Sequence, residues 1–370
     1  MFETSAALSR RRFLSQATYL GAAYAVAQSF PLPAMATRLA DDPRIAATPV
    51  VDAGFASVRK IGEGLYATIS DTTKGLATLC NGGILIGKDS ALLLEGFATP
   101  EGAAFQMDAL RKVSQTPVQA ALDTHYHFDH SMGNSFYGTK GIPLWAHANV
   151  SKRIVDSYLP LQTLDKETIL APAEKRVADA KSETQKQHAQ SDVNAFTIVT
   201  QFVKQSALTL PNRALDPAKL PMTVDLGNLA AVIETHPGHS GTDVIVRVPD
   251  QKVVYTGDLL FNHSYPVCFD DQGTVSGWRA TLKKFAGYDK DTIFVPGHGA
   301  LCGQETIQLF RETFDDIAEQ AEKMHKAGVP VEEAMERYIV PEKYKTLGIF
   351  AWGFTIGPAI SKLYAEWGAK

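Results

Sequence analysis

Asp123-Thr124-His125-Tyr126-His127-Phe128-Asp129-His130 is the stretch on which the reading of this chain turns. Three histidines and an aspartate fall within six residues, directly after Val118 to Leu122, an apolar run that reads as a buried strand. Imidazole and carboxylate are the donors that borderline divalent cations such as Zn²⁺ accept. In an extended segment, side chains two apart share a side. His125 and His127 can therefore share one metal. Asp129 and His130 follow the bend, at a predicted helix start, and can face a second metal. A carboxylate there also suits the positive end of the helix. A lone histidine usually has a structural explanation, but four ligand-type side chains at one strand end point to a metal centre.

Three later segments carry the same residue types, each at the end of a predicted strand. They are Thr235-His236-Pro237-Gly238-His239-Ser240, Tyr255-Thr256-Gly257-Asp258 and Val295-Pro296-Gly297-His298-Gly299. In this order the four motifs resemble the metallo-β-lactamase superfamily, whose signature is His-x-His-x-Asp-His. The resemblance runs from about Ser57 to Cys302. It implies an α/β fold, an αβ/βα sandwich of two mixed β-sheets flanked by helices, with the metals at one edge. It also implies two zinc ions per chain. His125, His127 and His239 would hold the first, Asp129, His130 and His298 the second, and Asp258 would bridge them. Such a pair supplies a hydroxide nucleophile at neutral pH for attack on a small-molecule carbonyl substrate.

Two departures from the family pattern stand out. Glu95 follows Leu94 where the family usually has Asp, in a position that supports ligands rather than binding metal. His130 and His239 lie 109 residues apart, leaving room for a helical insertion over about residues 150–216 that either walls the substrate pocket or decorates the surface. Among the other histidines, His263 leaves the metal edge five residues after Asp258 and, with Asp129, is a candidate catalytic side chain. Tyr265 and Tyr126 are weaker candidates of the same kind. His236 reads as structural, as do His147, His188 and His325. Gly82-Gly83 reads as a turn and not a phosphate loop, because no helix opening with Lys-Ser/Thr follows it.

The rest of the chain frames this centre. Short β-branched runs occupy Val58 to Ile69, Ala77 to Ile86 and Ala91 to Leu94. Glu101 to Val113 has helical spacing of its apolar residues. Leu164 to Gln205, rich in Lys, Glu, Gln and Ala, predicts long exposed helices, closed by Pro211 to Pro221. Strands return at Met222 to Leu226, Leu229 to Thr235, Val244 to Val248 and Val253 to Thr256. Helices are predicted for Gln304 to Lys326, Val331 to Arg337 and a last segment near Leu363. The domain layout is thus an export signal (1–36), a poorly ordered lead-in (37–56), the metal-binding domain (57–302) and a C-terminal helical extension (303–370).

The N-terminus combines Ser9-Arg10-Arg11-Arg12-Phe13-Leu14, a short Ala-rich apolar run and Pro33-Ala34-Met35-Ala36. This resembles a twin-arginine signal, with Ser15 where Lys is common, and implies the twin-arginine export machinery as a partner, cleavage after Ala36 and a periplasmic location. The apolar run is too short and too weak for a stable membrane anchor. With 36 basic and 40 acidic residues, net charge −4, the 370-residue chain offers no electrostatic case for nucleic acid. Its three cysteines are not a disulfide framework.

The leading reading is an exported zinc-dependent hydrolase of a lactone, thioester, ester or β-lactam. Asp at 258 resembles the thioester- and lactone-cleaving members more than the lactamases, many of which carry Cys or Ser there. The alternatives are a β-lactamase proper, or an iron-dependent oxidoreductase on the same scaffold. Di-iron reductases of the superfamily put Glu where His127 stands and append a flavin domain.

Overall fold

The computed structural model of the protein describes residues 37–368. The expected export signal, residues 1–36, lies outside them. Two sheets form the centre. The first has eight strands in sequence order: β1 (Val51–Asp52), β2 (Ala56–Gly62), β3 (Leu65–Ser70), β4 (Gly82–Ile86), β5 (Ala91–Leu94), β6 (Val118–Leu122), β7 (Leu144–His147) and β8 (Arg213–Leu215). Pairing is antiparallel through β5 and parallel from β5 to β8. The second sheet holds β9 (Met222–Asp225), β10 (Ala230–Thr235), β11 (Val244–Val248), β12 (Val253–Phe261) and β13 (Ile293–His298), with only β12–β13 parallel.

Strand β5 shows why the sheets are sandwiched. Its Ala-Leu-Leu-Leu run is buried on both faces, as expected where helices cover one side and a second sheet the other. Leu92 and Leu94 join Leu122, Ile233, Val246 and Val295 between the sheets. Leu93 points the other way, to Ala103 and Leu110 of the Pro100–Val113 helix. On the far side, Val254 and Phe294 meet Trp278, Leu282, Ile307 and Phe314. These come from the helices Val275–Ala286 and Gln304–Lys326. The order helix, sheet, sheet, helix is the expected αβ/βα sandwich.

Several expectations change. Val58 to Ile69 is a hairpin, β2 and β3, turned at Glu63-Gly64. Gly82 and Gly83 are not a turn but the start of β4, where a Cβ on Gly83 would overlap the Tyr255 ring of the facing sheet. The lead-in is docked rather than poorly ordered. Leu39 and Ile45 are buried, β1 pairs with β2, and Arg44 bonds the carbonyls of Gln251 (2.8 Å) and Asp291 (2.6 Å). The Val275–Ala286 helix was not anticipated.

The boundary expected at Cys302 divides the sequence but not the core, because the Gln304–Lys326 helix is the outer layer of the second sheet. The insertion consists of the helices Val150–Thr163, Lys166–Asp179 and Glu183–Gln205. It is not wholly exposed. The last helix buries Ile198, Val199, Phe202 and Val203 against Tyr126, Phe128 and Ile154, a stripe at helical spacing. The stretch expected only to close the insertion contains β8, which returns the chain to the first sheet. Among the described residues, no helix is long and apolar enough to cross a membrane.

Candidate metal centre

The loop after β6 bends at Thr124 to Tyr126 instead of running extended, and His127 leads into a short helix, Phe128–Ser131. The start of that helix separates the two halves of the motif. His239 arrives from the β10–β11 connection and His298 at the end of β13. Asp258 is not at a strand end. It lies within β12, beside register irregularities that flank Gly257, and such a bulge re-aims a side chain. Gly297 fits closely against it, since a Cβ there would overlap Asp258 Oδ1.

All seven residues are buried, none more than 8% exposed, and they form two groups that could each hold a metal ion. In the first, His127 Nδ1 lies 2.9 Å from His125 Nε2 and 2.8 Å from His239 Nε2. The surroundings dictate the tautomers. His239 Nδ1 faces the Val267 carbonyl at 2.9 Å and must carry its proton there. His125 Nδ1 faces Thr124 Oγ1 at 3.1 Å, and that hydroxyl already donates to Glu95 Oε1 at 2.6 Å. His127 Nε2 faces Asp270 Oδ2 at 3.6 Å. His125 and His239 therefore each turn a bare Nε2 lone pair toward the point that His127 Nδ1 also faces, the donor arrangement a cation requires. Burial and the neighbouring His127 lower His239 to about 4, so it is neutral at pH 7.

In the second group, His298 Nε2 lies 3.3 Å from Asp129 Oδ2, and His130 Nε2 lies 3.6 Å from the same oxygen. Asp258 joins the groups. Its Oδ2 is 3.3 Å from His239 Nε2, while its Oδ1 is 3.2 Å from His130 Nε2 and 3.4 Å from His298 Nε2. His130 Nε2 and Asp258 Oδ1 are buried without a hydrogen-bond partner. Unpartnered donors and carboxylates at this depth are costly unless a cation compensates them. The residues fit a pair of divalent ions.

Around these groups stands a supporting shell. Glu95, the departure from the family's Asp, accepts from Thr124 N at 3.1 Å and approaches His130 Nδ1 at 3.2 Å, so it occupies the supporting position expected of it. Asp270 was not anticipated. It accepts from Tyr126 Oη (2.5 Å) and Arg153 (2.8 Å) beside His127. The only hint in the sequence is a pair of acids, Asp270-Asp271, in the loop after β12.

A cavity of roughly 240 Å³ opens over His127, Asp129, Asp258 and His298. Tyr126 lines it with its hydroxyl engaged by Asp270. His263 does not reach it. The structure corrects that catalytic candidate: His263 has φ 67° and borders a separate hollow with Phe261, Thr306 and Leu309. Tyr265 is buried in the adjoining core and meets Tyr338. His236 pairs with Glu234 at 3.0 Å, and His188 stacks on Trp352. Cys80, Cys268 and Cys302 are free and buried, and Cys80 donates to the Asp129 carbonyl.

Residues 77–298, more than half of the chain, match the family described as the metallo-beta-lactamase superfamily. The chain belongs to that superfamily. Superfamily members among solved structures include a metallo-beta-lactamase from Pontibacter korlensis (14% identity, 70% of this chain and 98% of that one, TM-score 0.49). Another is the metallo-beta-lactamase FIM-1 from Pseudomonas aeruginosa in its mono-zinc form (16% identity, 74% and 97%, TM-score 0.48). Uncharacterized proteins of Mycobacterium bovis and Mycobacterium tuberculosis are 28% identical over 109 residues, 27% of this chain. The match spans about half the length of those curated relatives, 48%.

Proposed function

We propose that the protein is a hydrolase with two zinc ions, acting on an ester, thioester, lactone or β-lactam carbonyl. The observation that carries this reading is Asp258, which turns one oxygen toward each of two groups of buried imidazoles. His125, His127 and His239 would hold one ion, Asp129, His130 and His298 the other, and Asp258 both. When bound, such a pair lowers the pKa of water toward about 7 and polarises a carbonyl. The chain's own residues do the rest. Glu95 with Thr124 and the Val267 carbonyl hold the His125 and His239 rings in their tautomers, and Asp270 faces the outer edge of His127. The cavity walls exclude bulk water from the substrate. Asp129, which lines the cavity floor, is the carboxylate placed to move a proton. Ser9 to Leu14 and Ala34 to Ala36 support export to the periplasm through the twin-arginine route.

Elemental analysis after identical dialysis tests the site. Wild type and His263→Ala should keep about two zinc ions per chain, and Asp258→Ala should lose them. Iron at one per chain would favour the oxidoreductase instead. His127→Ala should abolish turnover in a screen of lactones, thioesters and β-lactams while circular dichroism stays unchanged. Turnover near the wild-type level would sink the assignment.

A further inference from the structure

The cavity has a polar floor and hydrocarbon walls. Tyr158 and Leu161 come from the Val150–Thr163 helix, Phe196 and Val199 from the Glu183–Gln205 helix, and Phe350 and Phe354 from the C-terminal segment. Charged and imidazole groups are confined to the floor, and none of the described residues lining the cavity is Lys or Arg. Arg153 lies against the Tyr126 ring at 4.7 Å, but Asp270 (2.8 Å) and Asp271 (2.5 Å) hold it. Its charge is matched within the protein rather than offered to a ligand. A carboxylate on a substrate would leave water for hydrocarbon with no counter-charge, while an alkyl or aryl group would gain from every contact. A cavity of roughly 240 Å³ lies just under the ~300–1,000 Å³ of drug-sized pockets. It fits a chain of medium length.

We propose that the substrate is an uncharged carboxylic ester or lactone bearing an alkyl or aryl group. That group sits between the insertion and the C-terminal segment, with the carbonyl at the floor. This identification rests on the hydrolytic reading above. In the reaction the oxygen of water bonds to the carbonyl carbon. The acyl C–O bond breaks with its electron pair going to the alcohol oxygen, which takes a proton. The acid product releases the other proton at neutral pH.

Proton release by the zinc-loaded enzyme follows two matched ester series, from ethyl acetate to ethyl octanoate and from ethyl acetate to octyl acetate. In at least one, kcat/KM should rise about fourfold per methylene until the cavity is full. Leu161→Lys, with circular dichroism and zinc content checked, should cut the octanoate-to-acetate or octyl-to-ethyl ratio about tenfold or more. Flat series in both directions, or benzylpenicillin turned over faster than every neutral ester, would overturn the proposal. Binding of the uncharged fluorophore N-phenyl-1-naphthylamine separates the two readings. If the probe binds and octan-2-one displaces it while no ester is cleaved, the apolar site stands and the hydrolytic reading falls. If the folded protein cleaves short esters but does not bind the probe, the apolar site falls and hydrolysis stands.

Discussion

Burial works against a charge on Asp270, yet His127, Tyr126 and the backbone of Gln272 outweigh it and hold the carboxyl well below its ordinary range. The carboxylate faces the outer nitrogen of His127 at 3.6 Å, and Phe269 stacks on the same ring at 4.9 Å. Asp270→Asn should therefore weaken zinc binding about 10–100-fold with the fold retained. Titration of the metal-free variant against a competing chelator measures this, and an unchanged affinity would show that Asp270 merely fills space. The seven ligand-type residues were legible because each sits in a short motif whose residue types have few other uses. Asp270 was not, because a carboxylate in a polar loop looks like any other until folding brings it to His127. His263 misled for the opposite reason: near Asp258 along the chain, it borders a separate hollow.

At the scale of elements, Glu234 on β10 ties the second sheet to its covering helix. It pairs with His236 (3.0 Å), Arg247 of β11 (2.5 Å) and Lys284 of the Val275–Ala286 helix (2.9 Å). These partners, His236 first, hold its carboxyl well below its ordinary 4.5. A carboxyl depressed on folding stabilises above its unfolded value, and that contribution is lost as pH falls through the folded value. Glu234→Gln should thus cost about 1–3 kcal/mol at neutral pH. The gap from wild type should narrow progressively below about pH 4.5. Urea unfolding at pH 7 and at pH 4 checks both points, and a gap that widens in acid would contradict the sign. Elements with one strong period were read closely, as for Val118–Leu122, Val244–Val248 and Gln304–Lys326. The Val275–Ala286 helix escaped notice. The helix has only twelve residues, with Gly277 in its first turn, and its stripe of Trp278, Leu282 and Phe285 is short.

For the whole molecule, the buried carboxylates of the two ligand groups should make stability respond to metal. Stripping metal with a chelator should lower the melting temperature. Zinc restored at 100 times its dissociation constant should return about 2.7 kcal/mol per site. Scanning calorimetry with and without chelator reads this, and equal melting temperatures would argue against a bound cation. The recurring strands and helices made a layered α/β protein legible and the family resemblance implied the sandwich, but neither showed how its two additions close on each other. His188 of the insertion stacks on Trp352 at 3.6 Å, Ser191 Oγ accepts from Trp352 N, and Asp192 accepts from Gly353 N at 2.8 Å. The two segments are thus locked together, although more than a hundred residues of chain separate them. A recombinant that inherits one from a different parent receives a key cut for another lock. Lineages that alter what this cavity accepts must change both stretches of gene together.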